Sequence, residues 1–232
     1  NAGGVTSTGL CHPFAVAVDV SHNVYIADHD NHRVREYNES ASPPTNFTAN
    51  TVFGQAGSLT SNTCNNGGVS ANSLCNPHKI ALDASKNLYV SDNANNRVLL
   101  YKTPLTTNTA ADAVFGKANN LTSSGCNLGG SRPSANTLCA PVGVAVDAGN
   151  NVYVGDFSNN RVLDYFNPLA TPGAVTVPAS LSFGNVAKGN TSTARSFVAT
   201  NTGSVPVDFT GVSITGTNAA DFTITSNGCL GY

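Results

Sequence analysis

HPFAVAVDVSHNVYIADHDNHRVREY, residues 12–37, returns as NPHKIALDASKNLYVSDNANNRVLLY over residues 76–101 and as APVGVAVDAGNNVYVGDFSNNRVLDY over residues 140–165. Pro13, Pro77 and Pro141 lie 64 residues apart, and the same interval separates Asp19, Asp83 and Asp147, then Tyr25, Tyr89 and Tyr153, then Tyr37, Tyr101 and Tyr165. Self-similarity at a fixed period identifies a repeat protein, in which each copy is a supersecondary unit that buries its apolar face on its neighbours. The chain has 232 residues, and length alone suggests one or two domains; the period instead groups residues 1–168 into one array.

Within each copy, short β-prone runs alternate with turn residues. Val16-Ala17-Val18, Val24-Tyr25-Ile26 and Arg33 to Tyr37 are separated by Asp, Asn and Ser clusters, and Thr51-Val52-Phe53-Gly54 recurs as Ala113-Val114-Phe115-Gly116. This spacing predicts an antiparallel meander of four strands per repeat. With no helical periodicity anywhere, the blade of a β-propeller fits best. The first strands, FAVAV, KIALD and VGVAV, are small and apolar and are expected innermost, where blades crowd together.

Asp28, Asn31 and Arg33, with Asp92, Asn95, Arg97 and Asp156, Asn159, Arg161, fall between the second and third strands. Asp and Asn side chains bond nearby backbone amides in such turns, and Arg pairs with carboxylates. A set present in every copy is expected to brace the turn rather than to catalyse.

The three copies resemble NHL repeats on these residues, the Asn-His-x-aliphatic signature standing as Asn31-His32-Arg33-Val34. Asn96 and Asn160 replace the histidine in the later copies, a change that a structural turn tolerates. Together with VFG and the cysteine-bracketed inserts, the pattern resembles exported bacterial NHL proteins. The resemblance implies a propeller, often of six blades, and no single activity. Three blades fall short of the usual four to eight that close a ring, so about three further repeats are expected upstream.

Cys11, Cys75 and Cys139 also keep the 64-residue interval. Two inserts, CNNGGVSANSLC (64–75) and CNLGGSRPSANTLC (126–139), lie between the fourth strand of one blade and the first of the next, on the face that carries the turns after the second strands. The expected bridges are Cys64 to Cys75 and Cys126 to Cys139. One period before Cys64 is position zero, and the opening NAGGVTSTGLC matches NNGGVSANSLC at 65–75, so Cys11 is expected to pair with a cysteine preceding Asn1. A stapled, Gly/Ser/Asn-rich loop on a rigid scaffold is either a preorganised recognition surface or a plain cap.

Residues 169–177, with Pro172-Gly173, read as a linker, and from 178 the period disappears. PASLSFGNVAKGNTSTARSFVATNTGSVPVDFTGVSITGTNAADFTI alternates like strands and resembles the immunoglobulin-like domains of the ASPM, SPD-2 and hydin group. A sandwich of this type needs about seven strands, and about four can be drawn, so residues 178–232 are expected to be its N-terminal part. Cys229 is expected to pair beyond Tyr232. The fold class expected is thus all-β, a partial propeller plus a truncated immunoglobulin-like sandwich.

Charged residues make up 10% of the chain and the net charge is −2, which leaves no electrostatic footprint for nucleic acid. Paired cysteines without metal spacing point to an oxidising, extracytoplasmic setting. No apolar run approaches the roughly 18 residues of a membrane span. Asn38, Asn46, Asn120 and Asn190 begin N-x-[ST] sequons.

No G-x-S-x-G, H-E-x-x-H, G-x-G-x-x-G or P-loop pattern occurs, and no cofactor or catalytic residue is assigned. His29 and His32 share a turn with Asp28 and Asp30, but sequence places no third metal ligand there, and the acidic turns lack the terminal bidentate Glu of a calcium loop. The leading expectation is an extracellular or cell-surface propeller scaffold that binds a protein or small-molecule ligand on its loop face. A propeller lyase or lactonase, with ligands gathered from several blades, is the alternative; an RNA-binding NHL module is weaker, opposed by few basic residues, few aromatics and the disulfides.

Overall fold

The computed structural model describes residues 5–38, 48–103, 105–106, 110–170, 175–203 and 212–226. Cys229, Asn46 and the middle of the expected linker lie outside these residues. The chain divides into two units, Asn1–Pro168 and Leu169–Tyr232.

In the first unit, β1 (Pro13–Val18), β2 (Val24–Asp28), β3 (Arg33–Tyr37) and β4 (Thr51–Phe53) form one antiparallel sheet in sequence order. The second sheet repeats it with β5 (Pro77–Leu82), β6 (Leu88–Asp92), β7 (Arg97–Tyr101) and β8 (Ala113–Phe115). The third holds β9 (Pro141–Val146), β10 (Val152–Asp156) and β11 (Arg161–Tyr165), three strands rather than the four expected, among the described residues. No V-F-G run like that of the first two copies follows Tyr165. These are propeller blades: β1 lies against β5 and β5 against β9, so the first strands form the inner edge of the array.

The turn joining the first two strands of each blade is built by one aspartate. Asp83 Oδ1 accepts the N–H groups of Ser85 and Asn87, both at 2.9 Å, and Oδ2 accepts Asn87 Nδ2 at 2.7 Å. Asp19 and Asp147 do the same for their loops. His22, Lys86 and Asn150 take the left-handed conformation that closes each turn.

The core lies between blades. Phe53 of blade 1 packs at a tilt on Tyr101 of blade 2 with centroids 5.2 Å apart, and Phe115 of blade 2 meets Tyr165 of blade 3 edge to face at 4.9 Å. Leu74, wholly buried, comes from the insert between blades 1 and 2 and seats on Gly54, whose N–H···O link to it runs from the Leu74 N–H to the Gly54 carbonyl at 3.1 Å. Gly54 has φ +96°, and a Cβ there would stand 2.5 Å from Leu74 Cδ1. Gly116 meets Leu138 in the same way. The glycine of VFG is therefore fixed by a backbone conformation and by a leucine key.

The disulfides Cys64–Cys75 and Cys126–Cys139 close the two inserts, with Cα separations of 4.7 and 4.6 Å. Loops of this size give about 3 kcal/mol by restricting the unfolded chain. Cys11, the equivalent of Cys75 and Cys139, forms no disulfide among the described residues. In the second unit, the one ladder among the described residues pairs β12 (Val175–Thr176) with β13 (Thr200–Asn201), and Phe183 and Phe222 stack at 5.7 Å. An immunoglobulin-like sandwich is not shown by these elements.

Candidate functional site

Each second strand ends in an aspartate that organises the corner of its blade. Asp92, fully buried, accepts the Cys75 N–H on Oδ1 at 2.7 Å, and on Oδ2 it accepts Asn95 Nδ2 at 2.8 Å and Arg97 Nε at 2.7 Å. Arg97 spends its remaining donors on carbonyls: Leu121 at 2.5 Å, Ser70 at 2.9 Å and Ser73 at 2.8 Å. Burial raises the Asp92 carboxyl, and the Arg97 charge opposes it.

The pattern repeats. Asp28 accepts the Cys11 N–H at 2.7 Å, Asn31 at 2.9 and 3.0 Å and Arg33 Nε at 2.8 Å; Asp156 accepts Cys139 N–H, Asn159 and Arg161 Nε at 2.7, 2.7 and 2.8 Å. Sequence reasoning places these residues in a local turn. Their reach is longer: the aspartate holds the backbone before the first strand, and the arginine holds the preceding loop, so inserts and turns occupy one face. Asn65 and Asn95 exchange amide hydrogen bonds at 2.9 and 2.7 Å across that junction, as do Asn127 and Asn159 at 3.0 and 2.9 Å.

The histidine of the signature has a specific job. His32, in the left-handed conformation, accepts the Asn76 N–H of the next blade on Nδ1 at 3.1 Å; Asn96 accepts the Ala140 N–H on Oδ1 at 2.7 Å. An imidazole Nδ1 and an amide Oδ1 stand at equivalent distances from the backbone, so either residue fastens one blade to the next. Burial, then the nearby His29, lowers the His32 ring, which suits an acceptor nitrogen. Behind the fastener, Gln55 Nε2 donates to His32 O at 2.8 Å and Thr63 O at 3.0 Å, and its counterpart Lys117 donates to Gly125 O. Lys117 is fully buried, and burial, reinforced by the Arg97 charge, pushes its ammonium down to about 8.

Blade 1 adds chemistry to this shared frame. In every blade a backbone bond holds the residue two past the corner aspartate to the cysteine carbonyl: Asp30 N–H to Cys11, Ala94 to Cys75 and Ser158 to Cys139, at 3.2, 3.2 and 3.1 Å. Only in blade 1 is that residue ionisable. Asp30 lies 3.9 Å from Cys11 Sγ through Oδ2, the same oxygen contacts His12 Nδ1, and Oδ1 contacts His29 Nδ1 at 2.6 Å. Hydrogen bonds from His29 and then His12 hold the Asp30 carboxyl below its ordinary range. His12, in turn, has the left-handed backbone found also at Asn76 and Ala140.

The cluster continues inward. His29 faces Asn76 Nδ2 at 3.4 Å, and its ring lies 4.1 Å from Phe14 and 4.9 Å from His78 of blade 2. Phe14 and His78 sit at register breaks in their strands, between Pro13 and Ala15 and between Pro77 and Ile80. Burial, then His29, lowers the His78 ring. Beside them, Leu10, Phe14, Val16, Ile26 and Lys79 line a shallow, mostly apolar depression. Sequence reasoning grouped His29 and His32 with Asp28 and Asp30; the structure commits Asp28 and His32 to bracing and brings Cys11 and His12 to Asp30 instead. The missed signal was divergence from the repeat, since His12, His29 and Asp30 replace Asn76, Asn93 and Ala94 of blade 2.

No curated protein matches the chain in sequence. Among solved structures it is similar to a virginiamycin B lyase from Staphylococcus aureus (10% identity, 68% of this chain and 43% of that one, TM-score 0.37) and to a streptogramin B lyase (14%, 71% and 44%, 0.37). It is also similar to an auxiliary nutrient binding protein from Bacteroides thetaiotaomicron (16%, 64% and 36%, 0.42). The chain spans less than half the length of each. The NHL repeat family matches residues 10–37, 74–100 and 138–165, the three stretches that carry the corner aspartates and their arginines, so the blades of this protein are built from NHL repeats.

Proposed function

We propose that this protein is an extracytoplasmic, non-catalytic propeller scaffold that binds a protein or small-molecule ligand on the face bearing its inserts. One observation carries the reading: disulfide-closed inserts and the turns after the second strands share that face, and Arg97 and Arg161 tie them together. Such loops present polar atoms and Gly-rich backbone with little left to order on binding. The two bridges fit an oxidising compartment, and no helix among the described residues is long and apolar enough to cross a membrane.

The test alters the loop tips and keeps their anchors. Asn66-Gly67-Gly68-Val69 is replaced by Gly and Ser with Cys64, Ser70, Ser73, Leu74 and Cys75 left in place, and both proteins are screened by thermal shift against oligosaccharides, peptides and small metabolites. The variant is expected to melt within a few degrees of the wild type and to lose the ligand-induced shift. Ligands that stabilise both proteins equally sink the loop-face reading. Thiol titration of exported protein is expected to find Cys64, Cys75, Cys126 and Cys139 oxidised; reduced thiols there would remove the case for export.

An enzymatic reading draws on a different observation, the gathering of His29, Asp30 and His78 from two blades at the inner edge. It would gain from turnover of any library compound that is abolished by His78→Val, the residue type blade 3 carries as Val142.

A further inference from the structure

We propose that Glu36 is a proton-operated switch at the junction of blades 1 and 2, which moves the Tyr25 hydroxyl between two carboxylates: Glu36 when it is ionised, Asp19 when Glu36 is protonated. The repeat supplies both positions. Tyr89 and Tyr153, the equivalents of Tyr25, donate to the turn aspartates at Asp83 Oδ2 and Asp147 Oδ2, at 3.3 and 3.1 Å. Tyr25 donates instead to Glu36 Oε1 at 3.0 Å, although Asp19 holds its turn just as Asp83 and Asp147 do. Blade 2 carries Leu100 in place of Glu36; blade 3 carries Asp164, one methylene shorter, and Tyr153 keeps its aspartate. The same ring serves either acceptor, and the glutamate alone draws it away.

Glu36 is poorly matched to a permanent charge. It is 5% exposed, lies across from Tyr25 on β2 and Thr51 on β4, and its Oε2 is buried with no hydrogen-bond partner. The ionisable groups around it are Tyr25, Asp19 from the turn after β1 and Lys86 from the equivalent turn of blade 2. Lys86 Nζ donates to Ser21 Oγ at 2.6 Å and stands 4.0 Å from Asp19 Oδ2, so that ammonium is anchored beside Asp19. Burial, and then Asp19, raises the Glu36 carboxyl, against the hydrogen bonds of Tyr25 and Thr51 and the charge of Lys86. A buried carboxylate with one unsatisfied oxygen and a second carboxylate close by favours taking up a proton from solvent, and Oε2 is the oxygen free to hold it. Glu36 is then the weaker acceptor, and Tyr25 turns to the ionised Asp19 as its siblings do. Tyr25 is 2% exposed and belongs to the core shared by the two blades, so the proton is read out as a change of packing at their junction.

The sequence holds two glutamates, Glu36 and Glu39, so carboxyl-labelled glutamate gives two NMR resonances in the whole protein, and Glu36→Leu, which installs what blade 2 carries, assigns them. The Glu36 carboxyl is expected to titrate above its ordinary 4.5. Between those two values the folded chain holds the proton and the unfolded chain does not, so the stability it brings is present below 4.5 and lost as pH rises through the folded value. Over that window the urea midpoint of the wild type is expected to fall relative to that of Glu36→Leu. Glu36→Gln keeps the side-chain shape without ionising and is expected to follow the leucine variant; it decides this arm if leucine does not fold. Crystal structures on either side of the Glu36 midpoint are expected to show the Tyr25 hydroxyl on Asp19 in the more acidic form and on Glu36 in the other. The proposal is overturned by a Glu36 carboxyl that titrates at or below 4.5, by urea midpoints of wild type and Glu36→Gln that run parallel with pH, or by a Tyr25 hydroxyl that keeps one partner in both crystals.

Discussion

Blade 1 and blade 2 share a backbone down to single hydrogen bonds and differ in what stands on it. In both, an aspartate holds a cysteine N–H, an asparagine and an arginine; in blade 2 the neighbouring positions carry Asn76 and Ala94, and in blade 1 His12 and Asp30. The comparison separates two kinds of residue that look alike in one sequence. Polar residues that recur in every blade are structural even when fully buried and charged, and those that occur once show what each blade adds to the shared frame. Blade 3 adds a second lesson. Val34 and Val98 are wholly buried on the third strands of blades 1 and 2, while Val162 at the same place is 68% exposed, because burial in a repeat array is supplied by the following blade.

The shared frame is broken most severely at its centre. Asp92→Ala leaves Arg97 buried without its carboxylate and the Cys75 N–H without an acceptor; removing one partner of a buried pair costs about 3–5 kcal/mol, which urea denaturation would register as a collapse of the midpoint. The same substitution at Asp156 is expected to cost less, since the Arg161 side chain is 24% exposed and water can take over.

A smaller effect distinguishes Gln55 from Lys117, which hold one place in successive blades. The folded Lys117 titrates near 8 and the unfolded one near its usual 10.5. Below the folded value both states hold the proton and stability does not change with pH. Between the two values the unfolded chain binds more protons, so stability rises with pH as the buried charge is relieved. Lys117→Gln, copied from blade 1, is expected to abolish that rise and to stabilise the protein at neutral pH by on the order of 1–3 kcal/mol. Urea midpoints from neutral to about pH 9.5 would check both; an unchanged slope in the variant would show that Lys117 is not its source.

The fastener gives the smallest effect and the sharpest contrast. His32→Asn keeps an acceptor for the Asn76 N–H and is expected to stay within about 0.5 kcal/mol of wild type, whereas His32→Leu strands that donor and costs roughly 1–2 kcal/mol. Equal losses in the two variants would mean that ring packing, and not the hydrogen bond, makes His32 useful.

Much of this was readable beforehand. Strand alternation gave the blades, and insert spacing gave the bridges Cys64–Cys75 and Cys126–Cys139. What escaped was the long-range half of each interaction. Asp28 bonds an amide 17 residues away, and Arg97 bonds carbonyls of Ser70 and Leu121, and a backbone acceptor has no side-chain signature to read. Gly54 was visible as part of VFG, but its reason is Leu74, twenty residues on and in another element. The blade 1 corner escaped because repeat alignment rewards sameness, and His12 and Asp30 are departures. Beyond Pro168 the ladder of β12 and β13 is the one among the described residues, and residues 204–211, in the middle of the strand-like alternation, lie outside them.

The leucine key on Gly54 has a consequence for how the array comes apart. Leu74 belongs by sequence to the approach to blade 2, yet it is buried against the last strand of blade 1 and chained to Cys75, whose amide is held by Asp92. Order in one blade is therefore a precondition for order in its neighbour, and the coupling between repeats outweighs what either could sustain alone. Under heat or under a pulling force, blades 1 and 2 should let go in a single step, with the bridged insert acting as the coupling pin between them.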